Sequence, residues 1–195
     1  NHSRIVITAS DVHNPASGGG RVGNPAGLGD MEGLSKGAGF KMVDGDSRFD
    51  ADKAYKDSKL CNVLMGRELT RQLHGGGRAV PVIAWSPGLV IPKSSEGFFR
   101  TSRQENPIGL ALFSFVARDL LRLTESTSTA GRLLSALATE QTFAQPGFAY
   151  FSNHLIGPGR HRFEPKDTSE EAIDAAKAER LWLLSDDLMT QTCQV

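Results

Sequence analysis

The sequence predicts an α/β fold in which a parallel sheet is flanked by helices. Three short apolar, β-branched runs have the length of buried strands, at residues 4–10, 78–88 and 147–152. Longer segments with helical periodicity follow them, at residues 52–77, 107–124, 129–140 and 168–189. Strands that alternate with helices are typical of parallel sheets, and such sheets bind ligands at the carboxyl ends of their strands.

A long loop separates the first strand from the first helix. The strand is "RIVITAS" at 4–10, and residues 14–39 are rich in Gly, Pro, Asn and Ser, which predicts a loop. The helix "DKAYKDSKLCNVLMGRELTRQLHGGG" at 52–77 has an apolar face that includes Leu60 and Val63. Three consecutive glycines predict its end.

The second strand, "RAVPVIAWSPG" at 78–88, is predicted to end at Pro87–Gly88. Two helices follow it. Residues 107–124 are apolar nearly all round the predicted helix, but the longest apolar run is too short to span a bilayer. Residues 129–140 carry apolar side chains at helical spacing on one face, which predicts an amphipathic helix.

The third strand is "GFAYFS" at 147–152, and the last element is a helix. We expect residues 153–167 to form a loop between them. Thr168 and Glu171 have the spacing of a capping box, which predicts a helix that starts beside them and runs to about Met189.

Composition excludes several classes of function. Lys and Arg total 22, as do Asp and Glu, so the formal net charge is zero. That balance gives no electrostatic reason to expect binding to nucleic acid or to an anionic membrane. The two cysteines, Cys61 and Cys193, form no disulfide framework and favour a reducing compartment. The histidines show no metal-binding spacing, so we expect no metal site.

The stretch "GGGRVG" at 18–23 matches the glycine spacing of a dinucleotide-binding turn. Such a turn needs a strand directly before it and a helix directly after it. Here Asn14–Pro15 precedes the glycines and Asn24–Pro25 follows them, so no helix N-terminus is available for a pyrophosphate. We expect a flexible loop instead.

Tyr55 and Lys59 are the strongest candidates for catalysis. Residues four apart on a helix share a face. A lysine ammonium beside a phenol favours the phenolate and lowers its pKa, so that the phenol serves as a general acid. The same lysine also has the reach to bond a nucleotide ribose. The alternative is a surface tyrosine beside a solvated lysine.

Residues near the strand ends add context to this pair. Ser10 follows the first strand and is placed to bond a substrate or the Tyr55 hydroxyl, although a turn bond to nearby backbone is the alternative. Pro87–Gly88 is either a plain turn or a place where the backbone approaches a flat cofactor ring. Cys61 is expected to pack as a small apolar residue.

Ser10, Tyr55 and Lys59, in this order and on these elements, resemble the catalytic set of the short-chain dehydrogenases/reductases, which have a Rossmann-like sheet. Within that family, "DKAYKDSKLCNVL" at 52–64 resembles the active-site helix of the light-dependent protochlorophyllide oxidoreductases. Further stretches resemble that family: "ASDVHNP" at 9–15, "LGDMEGL" at 28–34, "MVDGDSRFDADKAYKDSK" at 42–59, "GFFR" at 97–100, "GFAYFS" at 147–152 and "SEEAIDAAKAERLWLLSDDL" at 169–188.

The resemblance implies an NADPH-dependent oxidoreductase of chlorophyll biosynthesis in the chloroplast, with protochlorophyllide as its light-activated substrate. Tyr55 would donate or position the proton, Lys59 would hold the ribose and tune Tyr55, and Ser10 would take the family's Ser/Thr position. Pro87 and Gly88 would border the nicotinamide.

Three further residues are implied to contact the pigment. Cys61 matches a cysteine of the family's helix. Ser86 and Leu89 stand where the family usually has Tyr and Cys, and the loop at 91–97 looks longer than usual. These departures keep two alternatives open. One is a dark short-chain reductase that acts on another bulky apolar substrate, and the other is a non-catalytic paralogue that binds pigment or a partner.

The resemblance also implies that residues 1–195 are the C-terminal part of one short-chain dehydrogenase/reductase domain. The chain opens with Asn rather than Met, and a strand follows almost at once, so we expect a fragment or a processed chain. The sheet would then be incomplete, because the first strands and the glycine-rich cofactor turn would lie upstream. We expect this chain alone to be inactive. Peripheral association with plastid membranes and homo-oligomers are further expectations.

Overall fold

The computed structural model describes residues 3–91, 104 and 107–192. The strands are β1 Ile5–Thr8, β2 Pro81–Ser86, β3 Leu89–Val90, β4 Thr124–Glu125, β5 Gly147–Gly157 and β6 Arg160–Pro165. The helices are α1 Glu32–Ser35, α2 Ala51–Gly75, α3 Pro107–Phe115, α4 Thr127–Thr139 and α5 Ala175–Thr192. Most of the predicted loop at 91–97, the motif at 97–100 and Cys193 lie outside the described residues.

The main sheet has the strand order β1-β2-β5-β6, and its first three strands are parallel. The register pairs Ile5 with Val82 and Thr8 with Trp85, and the Trp85 indole N–H donates to the Thr8 hydroxyl at 3.2 Å. A second, two-stranded parallel sheet is formed by β3 and β4. The predicted α/β class with a mostly parallel sheet flanked by helices is therefore confirmed.

Side chains of β2 alternate between two apolar cores, because successive residues of a strand point to opposite faces. Ala84 lies in the larger core together with Leu60 and Leu64 of α2 and Leu181 of α5. Ile83 and Trp85 lie in the smaller core with Leu137 of α4. Helices thus cover both faces of the sheet, and α2 and α5 pack against each other on the same face.

The predicted loop at 153–167 is wrong, because β5 continues to Gly157 and forms an antiparallel hairpin with β6. The turn between them contains Gly159, whose φ of 67° lies in the left-handed region. Along β6, the more buried His161 and Phe163 alternate with exposed Arg160 and Arg162. That period of two is a strand signal, although its charged residues obscured it.

Aspartate side chains set the starts of the two long helices α2 and α5. Asp50 caps α2 by accepting a hydrogen bond from the Lys53 backbone N–H at 3.0 Å, so the helix begins at Ala51. The predicted capping box of Thr168 and Glu171 is wrong. Asp174 accepts from the Lys177 N–H at 3.0 Å and starts α5, while residues 171–173 form a 3-10 turn.

The predicted helix at 107–124 is shorter than expected. α3 ends at Phe115 and passes into a π-helical turn at Val116–Leu120. Ile108 and Leu112 are among the exposed apolar side chains of this segment. Among the described residues, no helix combines the length and apolar character needed to cross a bilayer.

The glycine-rich stretch at 18–23 lies in turns and bends, as predicted, with no strand before it and no helix after it. A side chain at Gly20 would collide with the backbone carbonyl of Asn14. That glycine is therefore required by close packing of the loop on itself, which accounts for it without a nucleotide.

Candidate active site

The candidate site lies where β1 and β2 end side by side. Because Thr8 pairs with Trp85, Ser10 and Pro87 each follow the paired residues by two positions. Helix α2 passes over this edge, and its Asn62 side-chain amide donates to the Thr8 carbonyl at 3.1 Å. That bond fastens the helix to the end of β1 and holds Tyr55, almost two turns earlier, above the strand ends.

The structure brings Ser10 and Tyr55 together. Their side chains are hydrogen-bonded, and the Tyr55 ring is partly buried. Ser10 also caps the short 3-10 turn Asp11–His13, where its hydroxyl accepts from the Val12 N–H at 3.5 Å. The sequence left two interpretations of Ser10 open, a bond to Tyr55 and a turn bond to nearby backbone. The structure contains both, because the Ser10 hydroxyl accepts from the turn and also bonds Tyr55. Its role in catalysis stays a prediction.

Lys59 lies against Tyr55, with its Nζ 5.3 Å from the centroid of the phenol ring. The predicted lowering of the tyrosine pKa is wrong in direction, however. Burial raises the pKa of Tyr55, and the hydrogen bond from Ser10 opposes that rise. Burial also lowers the pKa of the Lys59 ammonium. At neutral pH, Tyr55 therefore keeps its proton, which is the state that a proton donor needs.

Position 88 requires a glycine, because its backbone has a positive φ and lies close to another backbone segment. Its φ is 85°, and a Cβ there would lie 2.7 Å from the Asn153 carbonyl oxygen. The Asn153 side-chain amide donates to the Pro87 carbonyl at 3.2 Å and to the Glu125 carboxylate at 3.2 Å. The turn after β2 is therefore fixed against β5, at the level of Ser10.

The three predicted pigment contacts lie in different surroundings. Ser86 is 2% exposed, and its hydroxyl accepts from the Asp11 N–H at 3.2 Å, which places it beneath the crevice. Leu89 is half-buried at the start of β3 and pairs with Thr124. Pigment contact by Ser86 would need its side chain to be uncovered, and contact by either residue stays a prediction.

Cys61 packs against the larger core, as its residue type predicts. It is a free thiol on the helical edge that also carries Asp57, four residues earlier. Burial is the main cause that raises the pKa of Cys61 to about 12, and the carboxylates of Asp57 and Glu171 contribute to that rise. A thiol in this state is a poor nucleophile, and the role of Cys61 in substrate binding stays a prediction.

Two residues between Tyr55 and Lys59 hold the preceding loop, which sequence reasoning missed. Lys56 is 1% exposed, and its ammonium donates to the carbonyls of Val22 and Asn24, the latter at 2.9 Å. Asp57 is equally buried, and its carboxylate accepts from the Gly27 N–H at 2.9 Å. The helix thereby fixes the loop at residues 22–27. Charges spaced for a solvated helix gave no signal of this role.

Asp11 is a third residue that the sequence did not single out. Its carboxylate accepts from the Tyr150 hydroxyl at 2.9 Å and from the Ser152 hydroxyl at 2.6 Å, both on β5. An acidic residue directly after a strand end was the available signal. Among the described residues, no group of three or more His, Cys, Asp or Glu side chains could hold a metal ion.

Comparison with known proteins finds relatives with a consistent name. The chain is 32% identical over 190 residues to protochlorophyllide reductase of Avena sativa, which covers 95% of this chain and 57% of the relative. Protochlorophyllide reductase A, chloroplastic, of Triticum aestivum is also 32% identical over 95% of this chain, and 46% of that relative is covered. No protein-family model matches the chain.

Solved structures provide a likeness of fold. An uncharacterised protein of Mycobacterium paratuberculosis superposes with a TM-score of 0.57 and 21% identity, covering 96% of this chain and 50% of that one. Over almost its whole length, then, this chain is similar to curated protochlorophyllide reductases, and it spans about half the length of those it matches.

Proposed function

We propose that these residues belong to a light-dependent protochlorophyllide reductase that uses NADPH. One observation carries the proposal: at the carboxyl edge of the sheet, the Tyr55 phenol is hydrogen-bonded to Ser10 and lies against Lys59. The names of the relatives support the substrate and the reduction. Within this proposal, residues 1–195 make up the C-terminal part of one short-chain dehydrogenase/reductase domain.

In the proposed reaction, NADPH supplies the hydride when it is bound. Tyr55 delivers the proton, and its raised pKa keeps that proton on the phenol until the substrate develops negative charge. Ser10 fixes the direction of the phenol hydroxyl. Lys59 holds the ribose, and its ammonium stabilises the phenolate that remains after proton transfer. Pro87 and Gly88 border the nicotinamide.

We further propose a plastid location, because the relatives in Triticum aestivum and Oryza sativa are named chloroplastic. Peripheral membrane association and self-association remain predictions. A nucleotide of the NADPH type needs a phosphate-binding turn as well as a ribose contact. The described residues offer Lys59 for the ribose, whereas the glycine-rich stretch at 18–23 lacks the flanking strand and helix of such a turn.

The test of the proposed function uses the complete reading frame that encodes these residues. The purified protein is mixed with NADPH and protochlorophyllide in darkness and then flashed with light. A red shift of the pigment absorbance after the flash supports the proposal. Because the proton donor is lost, Tyr55→Phe should lower the rate of product formation by about 10²–10⁴-fold.

Ser135→Ala is a suitable control, because Ser135 is exposed on α4 at the other face of the sheet and should leave the rate unchanged. Unchanged turnover in Tyr55→Phe would remove Tyr55 from the mechanism.

A second candidate function is favoured by Ser86, whose buried hydroxyl is bonded to the Asp11 N–H. Ser86 stands where the family usually has Tyr, so the pocket of this protein would differ in shape from the pigment pocket of the family. In that case the same Tyr55–Lys59 pair would reduce another bulky apolar substrate in darkness. NADPH consumption without light would then be observed. Pigment binding without conversion in either condition would indicate a non-catalytic binding protein.

A further inference from the structure

A partly buried polar cluster is centred on Asp11, the residue after Ser10. The Asp11 carboxylate accepts from the hydroxyls of Tyr150 at 2.9 Å and Ser152 at 2.6 Å, and Lys166 Nζ lies 3.7 Å from it. Tyr150 is 5% exposed and Ser152 is fully buried. Buried hydroxyls need partners, and the carboxylate satisfies both of them. Burial and the nearby Asp11 carboxylate raise the pKa of Tyr150, so that its hydroxyl remains a donor.

The main chain from the Ser10 carbonyl through Asp11 is also held. The Asp11 N–H donates to the Ser86 hydroxyl at 3.2 Å, and the Asp11 carbonyl accepts from the Ser17 hydroxyl at 2.7 Å. The Ser10 carbonyl accepts from the His13 N–H at 3.2 Å and contacts His13 Nδ1 at 2.7 Å. Contacts from β2, from β5 and from the following turn therefore converge on this one dipeptide.

We propose that Asp11 is a positioning residue, which anchors the Ser10 main chain to β5 so that the Ser10 hydroxyl meets Tyr55. This proposal rests on the proposed function. The physical reason is short covalent reach: adjacent Cα atoms are about 3.8 Å apart, so a shift of Asp11 must move Ser10. Small misplacement of a group that orients a proton donor is costly for catalysis.

The competing explanation is purely structural, since Asp11 would then only tie the end of β1 to β5. The two explanations differ in what they predict for the surroundings of the Tyr55 hydroxyl. A structural tie lowers stability without changing the surroundings of the Tyr55 hydroxyl. A positioning residue changes those surroundings, and it does so only while Ser10 is present.

The composition offers a direct probe, because the sequence contains two tyrosines, Tyr55 and Tyr150. In protein labelled with carbon-13 at the tyrosine Cζ, Tyr55 and Tyr150 should each give one NMR signal at neutral pH. Tyr55→Phe and Tyr150→Phe assign the two signals, because each variant removes one of them. The signal of Tyr150 then reports its own bond to Asp11, and the signal of Tyr55 reports its bond to Ser10.

We expect Asp11→Asn and Ser152→Ala each to shift the Tyr55 signal in the same direction as Ser10→Ala does. In the Ser10→Ala background, Asp11→Asn should leave the Tyr55 signal where it is. Thr70→Ala is the matched control for a lost buried hydroxyl. Thr70 donates to the Gly66 carbonyl on α2, about 22 Å along the helix axis from Tyr55 at roughly 1.5 Å per residue.

Kinetics supply the second measurement. With the complete reading frame, Ser152→Ala should lower kcat about tenfold with little change in KM, as is typical for the loss of a supporting hydrogen bond behind a reacting group. Thr70→Ala should leave both constants unchanged. If the protein shows no reductase activity, the proposed function fails, while the NMR comparison still decides whether Asp11 positions Ser10.

One result would overturn the proposal: the Tyr150 signal moves in Asp11→Asn or Ser152→Ala, and the Tyr55 signal does not. If Asp11→Asn fails to fold, Ser152→Ala gives the same decision, because it removes a single donor to the carboxylate. Tyr150→Phe provides a third variant, which removes the other hydroxyl donor to the Asp11 carboxylate and leaves the Tyr55 signal to be observed.

Discussion

Two adjacent residues of α2 serve different parts of the molecule. The Tyr55 side chain meets Ser10 at the sheet edge, whereas Lys56 is buried and donates to the carbonyls of Val22 and Asn24. A buried ammonium is costly unless it is paired, and Lys56 also pairs with Asp52 at 2.5 Å. The pairing holds the loop at residues 22–24 against α2, so Lys56 fixes the main chain of the loop while Tyr55 faces Ser10.

At the residue scale, the buried imidazole of His13 should make the stability of the protein depend on pH. The Ser169 N–H donates to His13 Nε2 at 3.4 Å, so the proton is on Nδ1 and is donated to the Ser10 carbonyl. Burial is the main cause that lowers the pKa of His13 below 6.5, and the charges of Lys166 and Arg67 lower this pKa as well. The hydrogen bond to the Ser10 carbonyl and the Asp11 carboxylate act in the opposite direction and raise it.

The unfolded chain therefore binds a proton to His13 first as pH falls, which favours unfolding. We expect the contribution of His13 to the free energy of unfolding to be fully present above about pH 6.5. Below that pH the free energy of unfolding should decrease, by at most about 1.4 kcal/mol per pH unit from this residue. Urea unfolding between pH 7.5 and pH 5 measures this slope. His13→Gln cannot be protonated and keeps every other histidine, so an equal slope in that variant would contradict the assignment.

At the scale of elements, local patterns predicted most strands and helices. The β-branched run of β1 and the apolar face of α2 are local signals, and both elements lie within a few residues of their predicted bounds. The β5–β6 hairpin was missed because arginines on one face of β6 read as loop. The start of α5 was missed because Glu171 bonds the distant Leu28 N–H at 3.0 Å instead of its own helix.

The turn after β2 gives a prediction for a single element. Gly88→Ala should destabilise the protein by about 1–3 kcal/mol through backbone strain alone, since Gly88 has a φ of 85°. Contact of the new Cβ with the Asn153 carbonyl should add to that loss, and chemical denaturation measures the sum.

Gly131→Ala is the matched control, because Gly131 is exposed in the interior of α4 and has open space around it. Alanine favours a helix by about 0.8–1 kcal/mol over glycine, so this variant should be more stable than the parent. If both variants changed the free energy of unfolding equally, the positive φ at position 88 would not require glycine.

At the scale of the whole molecule, the site is assembled from parts far apart in sequence. Ser10 and Tyr55 were predicted from their positions on a strand end and a helix face. The Asp11 bonds to Tyr150 and Ser152 join residues 139 and 141 positions apart, and a local pattern carries no information about such distances. The pKa of Tyr55 was also out of reach, because burial, which raises it, is a property of the folded molecule.

Nucleotide binding by this chain also depends on how separate elements are arranged. A pyrophosphate is held by backbone N–H groups between a strand and a helix N-terminus, and the glycine-rich stretch at 18–23 has neither neighbour. We therefore expect the 195-residue chain, titrated alone by calorimetry, to bind NADPH with a Kd no tighter than about 1 mM. A micromolar Kd would contradict this. Gly18→Ala would then locate the site: its Cβ meets nothing within 4 Å, so lost binding would place phosphate on that loop.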